Sequence, residues 1–179
     1  TLWTWGYNGV GELGNGNVLA TSSPGQVGSL TTWSDVHMGG WFTIATKTDG
    51  TLWGWGRNAV GALGQGNLIA YSSPVQVGAL TTWLQASAGY TYTLAIKTDG
   101  TLWAWGSGGF GQLGQGNTTN YSSPVQVGAL TNWLKVSAGM YACVAIKTDG
   151  TLWTWGWNSE GQLGNGAQGT NISSPVQVG

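Results

Sequence analysis

Two residue types that support nucleophilic catalysis occur once each in this chain. They are His37 and Cys143, which would form a base–nucleophile pair if the fold brought them together. They belong to different predicted strands, and no carboxylate stands at a fixed spacing to orient the histidine. The many glycines form no phosphate-binding loop, because the run at residues 9–16 lacks the Lys-Ser/Thr pair and the following helix. We therefore expect no catalytic residues and no enzymatic activity.

The repeated acidic residues are candidate metal ligands. Asp49, Asp99 and Asp149 each precede a glycine, at Gly50, Gly100 and Gly150. A cation site needs several oxygen ligands that converge, and one carboxylate in every 50 residues does not supply them. We therefore expect no metal and no cofactor, and we interpret each Asp–Gly pair as a turn. The lysine two residues before each aspartate is predicted to lie at an exposed strand end.

Aromatic residues fall into a recurring set and a variable set. The recurring tryptophans occupy one position in every unit, which indicates packing between repeats; they include Trp5, Trp55, Trp105 and Trp155. The variable residues interrupt the repeat in predicted loops and strand ends, where side chains are available for a ligand or partner. The candidate binding rim consists of Tyr7, Trp41, Arg57, Tyr92, Tyr141 and Trp157.

An internal repeat positions all of these residues. The chain aligns with itself in blocks of 50, giving units 1–50, 51–100, 101–150 and a partial unit 151–179 within one repeat domain. Each unit begins with TLWxWG, contains SSPxQVG, and, where complete, ends with KTDG. A period of about 50 residues is typical of a propeller blade.

Four short strands per unit are predicted, named A to D in chain order. The first unit opens with strands C and D, so the chain holds about three and a half blades. Each Asp–Gly pair predicts a two-residue type I′ turn between strands B and C. Strand D contains a proline, as at Pro74, which favours a sheet edge or the start of a strand. No segment has the period of a helix. The fold class is all-β, a β-propeller of four-stranded blades of about 50 residues.

Composition excludes several partners. Five basic and six acidic residues give a net charge of −1, so no electrostatic field favours nucleic acid. No apolar run approaches the length of a membrane span. The charged fraction is only 6%, which slightly favours a secreted or virion-associated protein.

The repeat resembles the regulator of chromosome condensation repeat. The family pattern places N-x-x-G-x-L-G after a Trp-Gly strand, and this chain carries it from Asn8, Asn58 and Asn158, with Gly108 in the third copy. The resemblance implies a propeller, commonly of seven blades. A histidine usual in the family is replaced here by Phe42 and its counterparts, so any role of that histidine is absent. The family includes a nucleotide-exchange factor, membrane-traffic proteins and a β-lactamase inhibitor, so it does not select one function.

Closure of the ring suggests a partner. An open arc of blades exposes strand edges, and this chain begins and stops in ordinary repeat sequence. We expect the remainder of a larger propeller or a homo-oligomer to cover them, with a dimer favoured. Two copies together contain the number of strands of seven blades. However, each copy has a half-blade of strands C and D, and neither has spare strands A and B to complete it. We therefore predict a non-enzymatic scaffold for protein–protein interaction and self-assembly. The alternative is a lectin-like or phage-adhesin propeller that binds neutral glycans through loop aromatics.

Overall fold

The computed structural model describes residues 1–179, which fold into strands without any helix. There is thus no helix that could cross a membrane. The fourteen strands are β1 (Trp3–Gly6), β2 (Thr21–Gln26), β3 (Trp33–Met38), β4 (Phe42–Lys47), β5 (Leu52–Gly56), β6 (Tyr71–Gln76), β7 (Trp83–Ala88), β8 (Tyr92–Lys97), β9 (Leu102–Gly106), β10 (Tyr121–Gln126), β11 (Trp133–Ala138), β12 (Ala142–Lys147), β13 (Leu152–Gly156) and β14 (Ile172–Gln177).

The strands form one two-stranded and three four-stranded antiparallel sheets, in chain order within each sheet. Blade 1 contains β1 and β2, and blades 2, 3 and 4 contain β3–β6, β7–β10 and β11–β14. This confirms the predicted all-β fold of about three and a half blades. Pro74 lies in β6, an outer strand, where its missing N–H removes no ladder bond inside the sheet.

The hydrophobic core consists of three clusters that lie between successive blades. The second strands β4 and β8 are buried along their whole length. Between blades 2 and 3, Ile44 and Leu63 pack against Trp83 and Trp105. The burial of a large indole in each cluster makes each blade depend on its neighbour for stability.

The recurring tryptophans bind adjacent blades through their indole N–H groups. Trp55 Nε1 donates to Glu12 O of blade 1 over 2.9 Å, and Trp105 and Trp155 make the same bond to the blade that precedes their own. All three side chains are fully buried. Trp5 differs, with 57% of its surface exposed. Its counterparts pack against the blade before their own, and the structure contains no such blade for Trp5.

The turns between strands B and C differ from the sequence prediction. Gly50 N donates to Lys47 O over 3.0 Å, and Lys47 N donates to Thr51 O over 3.0 Å, so three residues form the loop. A type I′ turn needs a positive φ at both Asp49 and Gly50. Gly50 has φ of +76°, but Asp49 does not have a positive φ, since only glycines do in this chain. The predicted type I′ turn is therefore wrong, and the loop is a type I turn followed by a left-handed glycine. Asp49 stabilises it by accepting hydrogen bonds from Thr51 Oγ1 and N, which lower the pKa of its carboxyl group.

The predicted exposed position of the repeated lysines is also wrong. Lys47, Lys97 and Lys147 are buried, each with its ammonium group over the face of a tryptophan in strand C. For Lys97 the Nζ lies 3.6 Å from the Trp103 ring centroid. Little of each lysine side chain is exposed, and the aromatic face stabilises its charge. Burial lowers the pKa of each of these lysines.

The asparagine of the N-x-x-G-x-L-G motif fixes the loop that follows strand C. Asn8 Oδ1 accepts from Leu13 N at 2.9 Å, and its Nδ2 donates to Asn17 O at 3.0 Å. In the third copy, where glycine replaces this asparagine, Asn120 Oδ1 instead accepts from Gly108 N at 2.9 Å. In each of these copies an asparagine side chain thus holds the loop by hydrogen bonds to its backbone.

Candidate functional site

A continuous set of aromatic side chains crosses all four blades at one end of the sheets. We name it the aromatic belt and define it as Tyr7, Trp41, Tyr90, Phe110, Tyr141 and Trp157. Tyr7, the most exposed member, has 64% of its surface accessible, and Trp41 and Phe110 are also exposed. Exposed aromatic side chains in contact with each other are typical of protein-binding surfaces.

Each member of the belt contacts the next across a blade boundary. The Tyr7 ring meets Trp41 edge-on, with centroids 5.6 Å apart, and Trp41 Nε1 donates to Tyr90 Oη at 3.3 Å. The Tyr90 ring lies 5.9 Å from Tyr141, again edge-on. Tyr141 then packs against Phe110 at 4.8 Å. The side chains therefore support each other in fixed orientations rather than standing alone in loops.

Backbone hydrogen bonds within each blade bring the two variable positions to the same end. Arg57 N donates to Trp41 O over 2.8 Å, and Trp157 N donates to Tyr141 O over 2.9 Å. The first residue of each pair follows strand C and the second precedes strand B. Because these strands are antiparallel neighbours, the end of one meets the start of the other. We call this end of the sheets the belt face.

A pocket opens on the belt face between blades 2 and 3. Its volume is about 230 Å³, and its lining includes Trp41, Arg57, Val60, Tyr90 and Thr91. Arg57 supplies a positive charge to a lining that is otherwise apolar except for Thr91 and that includes three aromatic side chains. Such a pocket accepts an apolar or aromatic anchor with an acceptor group near the guanidinium.

The structure places one predicted rim residue elsewhere. Tyr92 is fully buried in the core between blades 3 and 4, so its assignment to the binding rim was wrong. Its hydroxyl donates to Gly139 O at 3.0 Å and lies 3.2 Å from Cys143 Sγ, and burial raises its pKa well above the usual value. The reason is strand alternation, since Tyr92 points inward where its neighbour Thr91 contributes to the surface pocket.

Two residues of the belt were missing from the sequence-based set. Tyr90 and Phe110 occupy positions where the other units carry glycine, methionine, valine or glutamate. Both positions lie inside the variable windows of the repeat, so a systematic search of those windows for aromatic residues would have found them. Tyr90 is the member that connects Trp41 to Tyr141 across blade 3.

The structure does not bring the two candidate catalytic residues together. His37 lies on β3 of blade 2, where, contrary to the expectation that no carboxylate orients it, its Nε2 is 3.1 Å from Asp35 Oδ2. Cys143 lies on β12 of blade 4, buried beside Tyr92, with its thiol donating to Gln112 O at 3.1 Å. Burial strongly raises the pKa of the Cys143 thiol, which disfavours the nucleophilic thiolate. No group of three or more His, Cys, Asp or Glu side chains could hold a metal ion.

Comparison with solved structures identifies the same fold in larger proteins. Human WBSCR16 superposes with a TM-score of 0.85 at 20% identity, over 99% of this chain and 47% of that protein. Prp20p from Saccharomyces cerevisiae gives a TM-score of 0.61 at 19% identity, over 99% of this chain and 58% of Prp20p. The chain thus spans about half the length of these proteins. Prp20p has binding properties toward Gsp1p and histones, and its complex with Kap60 has been solved.

Comparison by sequence gives the family. No curated protein matches the chain significantly. The family pattern of the regulator of chromosome condensation (RCC1) repeat matches residues 1–46, 49–96, 99–146 and 149–179. A second pattern of the same description matches residues 33–62, 83–112 and 133–162, where strands A to C and the following loop recur. With nearly every residue inside one of these matches, the chain belongs to the regulator of chromosome condensation (RCC1) repeat family.

Proposed function

We propose that this propeller is a non-enzymatic scaffold that binds a protein partner on its belt face. The observation that carries the proposal is the aromatic belt, whose members contact one another across all four blades. Side chains that are already packed lose little conformational entropy when a partner covers them. The scarcity of charged residues leaves aromatic and apolar contacts as the main source of affinity. The yeast relative that binds Gsp1p and histones shows that this fold accommodates protein partners.

Substitution of the central belt residues tests the proposal. A Trp41→Ala/Tyr141→Ala variant removes two aromatic anchors, each worth about 2 kcal/mol or more. Loss of one anchor lowers partner affinity about thirtyfold, and loss of both lowers it by up to about a thousandfold. The measurement is quantitative capture of partners by immobilised protein, followed by titration of each captured partner. Leu130→Ala is the matched control, because Leu130 is an exposed apolar residue between β10 and β11, at the opposite end of the sheets.

The outcome separates the belt from other surfaces. Partners held by the wild type and by Leu130→Ala, but not by the belt variant, would support the proposal. Equal capture by the belt variant, with an unchanged thermal unfolding curve, would contradict it. Retention of a neutral glycan rather than a protein would assign the belt to carbohydrate binding, the second candidate. The pocket lined by Trp41, Arg57 and Tyr90 favours that candidate, because it combines aromatic rings with a hydrogen-bond donor.

The free edge of β1 supports self-assembly as part of the same proposal. β1 pairs only with β2, and its own residues Trp3 and Trp5 are exposed. A strand from another copy would pair with this edge and bury these indoles, as would a further strand of the same polypeptide. We expect light scattering after size exclusion to give a discrete multiple of 18.6 kDa. A stable monomer at micromolar concentration would contradict self-assembly and leave the belt proposal unaffected.

A further inference from the structure

The end of the sheets opposite the belt carries a second, repeated site. Between blades 2 and 3 a pocket of about 490 Å³ is lined by Lys97, Trp83 and Trp103 together with residues of blade 2. An equivalent pocket of about 340 Å³ between blades 1 and 2 is lined by Lys47 and its two tryptophans. Lys147 occupies the corresponding position in blade 4. We name these sites the lysine pockets.

The ammonium group in each lysine pocket lacks an oxygen partner. Lys97 is only 8% exposed, and its Nζ lies 3.6 and 5.0 Å from the centroids of Trp103 and Trp83. The one ion pair in the chain joins His37 to Asp35, so no carboxylate lies within 4.0 Å of this ammonium. Aromatic faces offset part of the cost of desolvating a cation, but they leave its three N–H donors without an acceptor in the chain.

The nearby aspartate is already engaged. Asp99 Oδ1 accepts hydrogen bonds from Thr101 Oγ1 and Thr101 N, at 2.6 and 3.0 Å, within the turn that follows Lys97. These bonds hold one oxygen of the carboxylate within its own turn. An external acceptor is therefore the group that the lysine lacks.

The remaining lining defines the ligand. Val77, Leu80 and Pro124 form an apolar wall, and Gln65, Gln76 and Ser123 add amide and hydroxyl groups. A single cation balances a single negative charge, so a monovalent carboxylate fits better than a phosphate dianion. A volume of about 490 Å³ accommodates a ligand the size of a monosaccharide or a dipeptide.

We propose that the lysine pockets bind small organic carboxylates, with one carboxylate oxygen on the lysine ammonium and the carbon skeleton on the apolar wall. The carboxylate belongs either to an acidic sugar or to the C-terminus of a short peptide. This site is independent of the aromatic belt, because the two lie at opposite ends of the sheets. Its occupation does not require a partner on the belt face.

Nuclear magnetic resonance of the indole N–H groups tests the proposal on the whole chain. Glucuronate and an N-acetylated dipeptide with a free C-terminus are the two carboxylate probes, and glucose and the amidated dipeptide are their neutral counterparts. We expect at least one carboxylate probe to shift the indole signals of Trp83 and Trp103, with little effect from its neutral counterpart. The probe that binds identifies the source of the carboxylate.

The repeat supplies its own control for the lysine. Lys97→Met should reduce carboxylate affinity at its pocket about tenfold or more, so the ligand-induced shifts of Trp83 and Trp103 should disappear. The shifts of Trp33 and Trp53, in the pocket of Lys47, should remain. Lys97→Arg should retain binding, and Lys135→Met, which removes an exposed lysine on β11, should change nothing. The proposal is overturned if neither carboxylate probe shifts these signals in the wild type, if the neutral probes act equally, or if Lys97→Met binds as the wild type does.

Discussion

Replacing Trp105 by alanine is expected to lower the free energy of unfolding by about 3–5 kcal/mol. Trp105 is fully buried between blades 2 and 3, where its ring packs edge-on against Trp83 with centroids 5.8 Å apart. Alanine leaves a cavity that the surrounding strands cannot fill. It also removes the 2.8 Å bond from Trp105 Nε1 to the Ala62 carbonyl, which keeps only the hydroxyl of Thr93 as a donor. Both losses fall on the contact that joins two blades.

The repeat provides a matched control for this change. Trp5 occupies the same position in the first unit, but it is 57% exposed and its indole donates no hydrogen bond within the chain. At a concentration where the chain is monomeric, Trp5→Ala should therefore cost less than about 1 kcal/mol. The measurement is urea unfolding followed by near-ultraviolet circular dichroism for both variants. Equal losses for Trp5→Ala and Trp105→Ala would show that burial between blades is not what stabilises the fold.

The fold could be predicted because the repeat constrains many positions at once. The spacing of TLWxWG, SSPxQVG and KTDG fixes four strands per unit, and Pro74 marks the outer one. Each inferred strand recurs in every complete unit, so an error in one copy would conflict with the others. The order of strands in each sheet follows from short connections between antiparallel neighbours.

The details of the turns and lysines could not be read from the same pattern. An Asp–Gly pair fits both a two-residue type I′ loop and a three-residue loop that ends in a left-handed glycine. The choice depends on Thr51, whose N–H and hydroxyl both bind Asp49 Oδ1. The burial of Lys47 depends on Trp33, which precedes it by 14 residues, and on Trp53 of the next strand. Such contacts arise only when the blade is assembled.

The candidate site could be predicted only in part, since it forms across blades. Variation within the repeat located Tyr7, Trp41, Tyr141 and Trp157 in regions that lie on the belt face. It did not distinguish Tyr92, which faces the core, from residues that face solvent. The direction of a side chain at a strand end depends on the register with the next strand, here Tyr92 opposite Gly106.

Replacing Gly100 by alanine should destabilise the chain by about 1–3 kcal/mol more than the same change at Gly150. Gly100 ends the turn between β8 and β9 with φ of +77°, and its carbonyl accepts from Trp133 N at 3.1 Å. A Cβ atom at Gly100 would overlap the carbonyl oxygen of Thr131, in the segment that leads into blade 4. Relief of this overlap requires the backbone of that segment to move, which weakens the contact between blades 3 and 4.

Gly150 isolates the contribution of that overlap. It occupies the same turn position with φ of +83°, but no atom lies within 4 Å of the place where its Cβ would be. Gly150→Ala should therefore cost only the left-handed conformation, about 1–2 kcal/mol. The measurement is the midpoint and slope of urea unfolding for the two variants in parallel. If both lose the same stability, the conformation of the glycine alone accounts for the effect, and the turn of blade 3 does not brace the segment that leads into blade 4.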